Sequence, residues 1–427
     1  MTNELFQQVR LVDPVSGTDR VTDVLWVDGK IAAIAPEIPD VPVDTHIRDC
    51  RGLVLGPGLV DLYSYSGEPG FEERETLTSL QQAAAAGGFT RVTLLPDTHP
   101  AIDNPASVGW LRSHSQRPES NKHPAAAAVP TLDCWGALTQ GVKGQQMTEL
   151  AELATSGIVG FADGQPIPSL SMLRRLLEYL RPLKKPVAIW CFDRELAAGG
   201  VMREGAESLR FGLPGIPEMA ETSAITSVLE CVAAIGTPVH LMRVSTARSV
   251  ELIQTAKARG LPVTASTTWM HLLLTSDAVA SYDPSLHLKP PLGSQADRIA
   301  LLQGIQAGVI DAIAIDHRPY TYEEKTLAFA EAPPGAIGLE LALPLLWQNL
   351  VELGALSALE LWQALSMRPA ECLEQPPGQI VAGRSAELTL FNPRQVWTVE
   401  NQTLKSRAIN TPWFGKQLMG RVIQTWS

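Results

Sequence analysis

The chain has 427 residues, 45% of them hydrophobic, enough for one large core with an appendage or for two medium ones. Its 45 acidic against 34 basic residues leave a net charge of −11, which argues against a nucleic-acid groove or an anionic-membrane surface as partner. Five scattered cysteines, Cys50, Cys134, Cys191, Cys231 and Cys372, form no CxxC pair; with no signal layout at the N-terminus and no run approaching ~18 apolar residues, the expectation is a cytoplasmic protein with buried thiols.

Taken in order, the chain first predicts short strands over Glu4–Val12, Val21–Val27 and Lys30–Ile34, with Asp28-Gly29 as a hairpin turn. A proline-rich passage, Ala35–Val43, follows. Short apolar runs then alternate with amphipathic segments. The runs are Leu59–Leu62, Phe89–Leu95, Ala125–Pro130, Ile158–Phe161, Val187–Cys191, Pro238–Val244, Leu261–Ser266 and Ala312–Asp316. Helices are expected over Glu75–Ala86, Ser169–Leu180, Glu218–Ala234, Ala247–Arg259 and Ala296–Gln306. Eight strands alternating with helices indicate an α/β fold closed into a (β/α)8 TIM barrel, in which catalytic groups sit at the carboxyl ends of the strands. A doubly wound open sheet is the alternative, but no GxGxxG or GxxxxGKS follows a strand. Helical segments over Ala336–Leu353 and Ser357–Leu365 precede strands at Ala386–Phe391, Val396–Val399 and Gly420–Thr425. The expected organisation is a barrel of residues 55–370 and a small β domain built from both chain ends, residues 1–54 and 371–427.

Within GPGLVDLYSYSGEPG, residues 56–70, an apolar strand ends in a Gly/Pro turn. Alternation puts Tyr63 and Tyr65 on one face and Ser64 and Ser66 on the other. Residues i and i+2 at the end of a first barrel strand can both reach one small site. The frame resembles the PGxxDxHxHxREPG stretch of dihydroorotases, of the amidohydrolase superfamily, with tyrosine at both histidine positions. Similar matches continue along the chain. Gly87–Thr90, Leu95–Thr98 and Ile102–Pro105 resemble AGGFT, MPNT and IDNP; Leu213–Pro217 resembles GIPGIP and Val244–Thr246 resembles HVST; Pro290–Leu292, Ile315–Pro319 and Asn410–Trp413 resemble NPPLR, TDHAP and the closing NTP strand.

The resemblance implies an amidohydrolase-type barrel and a chemistry in which zinc-bound hydroxide opens a cyclic amide, with an aspartate after the eighth strand moving the proton. Asp316 falls on that aspartate. The metal-histidine positions fall on Tyr63, Tyr65, Trp190 and Arg243, so no metal is expected, and Asp163 aligns ambiguously with a ligand aspartate. The family's substrate-carboxylate arginine and asparagine fall on Gly67 and Asp97. A phenol must lose a proton with a pKa near ~10 before it binds a divalent ion well, so the tyrosines are either fillers of the former site or a phenolate site. At odd offsets from Arg243 and Asp316, His240 and His317 are expected to point away from the site. His271 is the one stray ligand candidate, and His46, His99, His114, His123 and His287 are expected on the surface or in loops. Asp97, Asp163, His271, Lys289 and Arg318 complete the candidate pocket. A buried Asp316 without a metal needs a partner or a proton, and Arg243 is the expected one, the pair forming a structural plug.

Three functions are compatible with these residues. The first is a non-catalytic dihydroorotase-like subunit of pyrimidine biosynthesis that supports aspartate carbamoyltransferase, a partner implied by the resemblance alone, with homo-oligomer formation also expected. The second is an active cyclic amidohydrolase with an altered site. The third is a metal-free binder of a small anion through Arg243, Arg318 and Lys289.

Overall fold

The computed structural model of the protein describes residues 3–115 and 129–427. Eight short strands, Leu59–Ser64, Phe89–Leu94, Thr131–Gly136, Gly160–Phe161, Ala188–Trp190, Val239–Met242, Val263–Thr268 and Ala312–Ala314, pair in parallel, each with the next. The eighth returns to the first. Asp316 N–H donates to Tyr63 O at 3.1 Å, Tyr65 N–H to His317 O at 2.8 Å, and Ile315 N–H to the buried Asp61 carboxylate at 2.8 Å. The sheet is thus a closed barrel, and the open doubly wound alternative is excluded. Its strands are covered on both faces, which is why most of them appear in the sequence as continuous apolar runs.

The third strand departs from expectation. A strand was placed at Ala125–Pro130, but the strand between the second and fourth is Thr131–Gly136, TLDCWG, whose polar residues break up any apolar run. Residues 125–128, and His123 with them, lie outside the described residues.

Connecting helices begin where a hydroxyl can cap them. Thr76, Ser169, Thr246 and Ser294 each accept a backbone N–H at the start of Leu77–Ala86, Leu170–Leu180, Ala247–Ala258 and Gln295–Gln306. Helix Leu170–Leu180 shows the packing logic. Leu173, Leu176, Leu177 and Leu180 recur at helical spacing and are all buried, each stabilising by roughly 1.5–3 kcal/mol relative to exposure.

Both chain ends join one seven-stranded sheet. Strand Leu388–Thr398 pairs antiparallel with Val54–Pro57 on one side and Gln417–Trp426 on the other, tying the last residues of the chain to the segment that leads into the barrel. Phe6, Val9, Leu11, Val24, Ile31, Leu55, Leu390 and Trp426 pack as its core. Two expectations are corrected here. Ala386–Phe391 and Val396–Val399 belong to one strand with an irregular register, and the proline-rich passage is followed by a strand, Thr45–Asp49, that its polar residues concealed. Among the described residues no helix is long and apolar enough to cross a membrane.

Candidate functional site

Strand six ends at Met242, and the next residue, Arg243, takes a left-handed backbone with φ of 56°. Asp316, two residues after strand eight, does the same with φ of 52°. Such values are uncommon for residues with a Cβ and are held by the surrounding contacts. Their effect is to turn both side chains across the barrel mouth. The Arg243 guanidinium meets Asp316 in a two-pronged ion pair, Nε to Oδ2 at 2.8 Å and Nη2 to Oδ1 at 2.7 Å. It also donates to Gly164 O and to the Tyr65 hydroxyl, each at 2.9 Å. Four N–H bonds thus go to protein acceptors, while the Trp190 ring centre lies 4.7 Å from the guanidinium carbon and the Tyr63 ring centre 5.3 Å. The Arg243 side chain is 1% exposed and that of Asp316 18%. Burial disfavours the arginine's charge, but Asp316, with Tyr65 and Tyr63, more than offsets it, and the guanidinium stays protonated.

Beneath this pair runs a directed chain of hydrogen bonds. Arg243 N–H donates to the Tyr63 hydroxyl at 3.1 Å, so Tyr63 gives its own proton to Ser266 Oγ, 2.9 Å away. Ser266 then donates to His240 Nε2 at 2.8 Å, leaving His240 Nδ1–H for Thr264 Oγ1 at 2.9 Å. This order requires a neutral imidazole, and burial pushes the His240 pKa down to about 3. The expected orientation of His240, away from the site, is therefore corrected: the left-handed turn at Arg243 breaks the strand alternation on which it rested. His317 does point away, its Nδ1 accepting the Gly338 N–H at 3.2 Å.

The other expected pocket residues divide. His271, Lys289, Asp316 and Arg318 line a cavity of about 30 Å³ at the mouth. Asp97 and Asp163 do not line it. Asp163 is taken up by Leu138 N–H at 2.7 Å, Thr139 N–H at 3.0 Å and the Thr139 hydroxyl at 2.5 Å, and burial raises its pKa to about 6. Asp97 lies 3.8 Å from Arg318, its carboxyl pushed up by burial against the pull of that arginine. His271 is held between the Thr268 hydroxyl at 2.7 Å and Pro291 O at 3.2 Å, and burial drives its pKa down to about 4. His287, expected on the surface or in a loop, lies in a loop but is buried, with Nδ1 on Ala332 O at 2.7 Å. The sequence offered no sign of two further participants, Gly164 through its carbonyl and Ser266 through its hydroxyl. A larger groove of about 810 Å³, between helix Leu77–Ala86 and the terminal hairpin, shares no residue with the mouth.

A dihydro-orotase-like family model matches residues 52–249. A probable dihydroorotase-like protein of Synechocystis sp. is 44% identical over 444 residues, covering 99% of both chains. The chain belongs to the dihydroorotase-like family. A dihydroorotase of Syntrophus aciditrophicus is 37% identical, covering 97% of this chain and 96% of that one. Among solved structures, the L-hydantoinase of Arthrobacter aurescens superposes with a TM-score of 0.85 at 23% identity, covering 100% of this chain and 94% of that one, and the dihydropyrimidinase of Brevibacillus agri with 0.81 at 20%, covering 100% and 94%. These two establish the fold, a TIM barrel with a β domain.

In this dihydroorotase-like chain the residues at the mouth do not fit zinc. Arginine and tryptophan offer it no lone pair, and burial pushes the Tyr63 and Tyr65 phenols above their ordinary range, away from phenolate. Both Asp316 oxygens are committed to Arg243. Among the described residues no group of three His, Cys, Asp or Glu could hold a metal ion. The loop after strand one leaves no room for a side chain at position 67. A Cβ added at Gly67, where the resemblance places the substrate arginine, would lie 2.3 Å from Phe71 O and 2.4 Å from Glu75 O.

Proposed function

We propose that this chain is a non-catalytic dihydroorotase-like subunit of pyrimidine biosynthesis, serving as a scaffold for aspartate carbamoyltransferase. One observation carries the loss of catalysis: a buried guanidinium, ion-paired to Asp316, stands at the centre of the mouth. An arginine there cannot ionise a water, and both Asp316 oxygens are already engaged by its N–H groups. The cavity of about 30 Å³ is the volume share of roughly one water, whereas sites for small organic ligands measure about 300–1,000 Å³. What supports a scaffold role is that the fold is retained along the chain while the mouth offers no set of zinc ligands among the described residues.

The test has two arms. Zinc analysis and a dihydroorotate assay on the purified chain, with the Syntrophus dihydroorotase as positive control, should give less than stoichiometric metal and no turnover; brisk turnover would reinstate the enzyme reading. For the partner, aspartate carbamoyltransferase from the same cells should reach its full assembly and activity only when this chain is present. Identical assembly in an extract lacking the chain would remove the scaffold role.

A further inference from the structure

The anion-binding reading of the sequence grouped Arg243, Arg318 and Lys289, and the structure separates them. Arg243 has spent its charge on Asp316 inside the mouth. Arg318 has not. Its backbone is fixed, N–H to Ala336 O at 2.9 Å and O to the Asn410 amide at 2.9 Å, and its stem lies against Gly335, where a Cβ would meet Arg318 Cδ at 2.7 Å. Its guanidinium carbon lies over the Tyr65 ring, 4.0 Å from the centroid. Among the described residues none accepts a hydrogen bond from that guanidinium. Among the described residues the sole carboxylate within ion-pair reach is Asp97 at 3.8 Å, too far for a hydrogen bond.

Lys289 shares the wall of the same small cavity and is exposed, with no protein acceptor among the described residues. Burial disfavours its charge, and the Arg194 and Arg318 cations disfavour it further. Arg194 donates to Gln165 at 2.9 Å. An arginine pinned on an aromatic face with its planar fork unengaged is arranged for two-point recognition of an oxyanion.

We propose that Arg318 and Lys289 bind a small oxyanion, a carboxylate or a phosphate, on the outer side of the Arg243–Asp316 plug, with one anion oxygen seated in the cavity they line. Arg318 falls where the family stretch TDHAP has alanine, so the site is not the family's substrate grip carried over. It stands independently of any role as a scaffold.

Calorimetry and thermal shift with sodium phosphate and with malonate, against sodium chloride at matched ionic strength, test this directly. A saturable effect beyond that of chloride is expected with at least one, and the stronger of the two identifies the ligand class. Arg318→Ala should weaken binding about tenfold to a hundredfold, as loss of a charge-assisted hydrogen-bond pair does. Arg318→Lys, which keeps the charge and loses the fork, should weaken it measurably. Should Arg318→Ala fail to fold, Lys289→Met on the exposed loop gives the reading, with at least about threefold weakening expected. Equal affinity in wild type and variants, or no effect beyond chloride, overturns the site.

Discussion

Replacing Arg243 with methionine removes the cation and leaves much of the side-chain volume. Asp316, four-fifths buried, then has no cation within ion-pair distance among the described residues, and Gly164 O and the Tyr65 hydroxyl lose their donor. Breaking a buried pair by deleting one partner costs about 3–5 kcal/mol, because the remaining charge must be desolvated alone. For a chain of this length, with unfolding entropy scaling by residue, that corresponds to a Tm lowered by roughly 3–6 °C. Denaturant titration of Arg243→Met, Asp316→Leu and the double variant forms a cycle. The double variant should be more stable than Arg243→Met alone, since removing both charges of a buried pair is often nearly neutral. An Arg243→Met cost below about 1 kcal/mol, or a double variant no better than the sum of the singles, would refute the plug.

Other expectations concern the surroundings of that pair. His240 has a folded-state pKa of about 3 against an ordinary value near 6.5, so between those values the unfolded chain binds the extra proton. The stability His240 contributes is therefore complete above pH 6.5 and declines as pH falls toward 3. The stability difference between wild type and His240→Asn should shrink over that window by up to about 1.4 kcal/mol per pH unit, and a flat difference would contradict a neutral buried imidazole. Gly67→Ala should destabilise by about 1–3 kcal/mol, read in a thermal melt, since its Cβ would collide with the backbone of Phe71 and Glu75; a neutral result would show that loop to be looser than described.

Much of this architecture is legible in the residues because burial on both faces of a parallel strand leaves a simple mark. Leu59–Leu62 or Val187–Cys191 could hardly be anything else at that spacing, and that Tyr63, Tyr65, Trp190 and Arg243 are poor zinc ligands is legible from residue type alone. What stayed hidden depends on backbone geometry. Alternation assigns His240 to the wrong side because it assumes that the strand continues through Arg243, and no residue type there announces a positive φ. Asp163 keeps the appearance of a ligand, although Leu138 and Thr139, distant in sequence, have claimed it. The third strand carries its polar residues as openly as a loop would.

The acceptors and base of Arg243 are drawn from four places around the ring: it follows strand six, and it reaches Asp316 after strand eight, Tyr65 after strand one and Gly164 after strand four. Splaying any of these loops from the others would break a charged hydrogen bond in a dry setting, so the rim behaves as a locked hub. These loops are held at fixed spacing, and a neighbouring molecule would meet the same rigid landscape at every encounter.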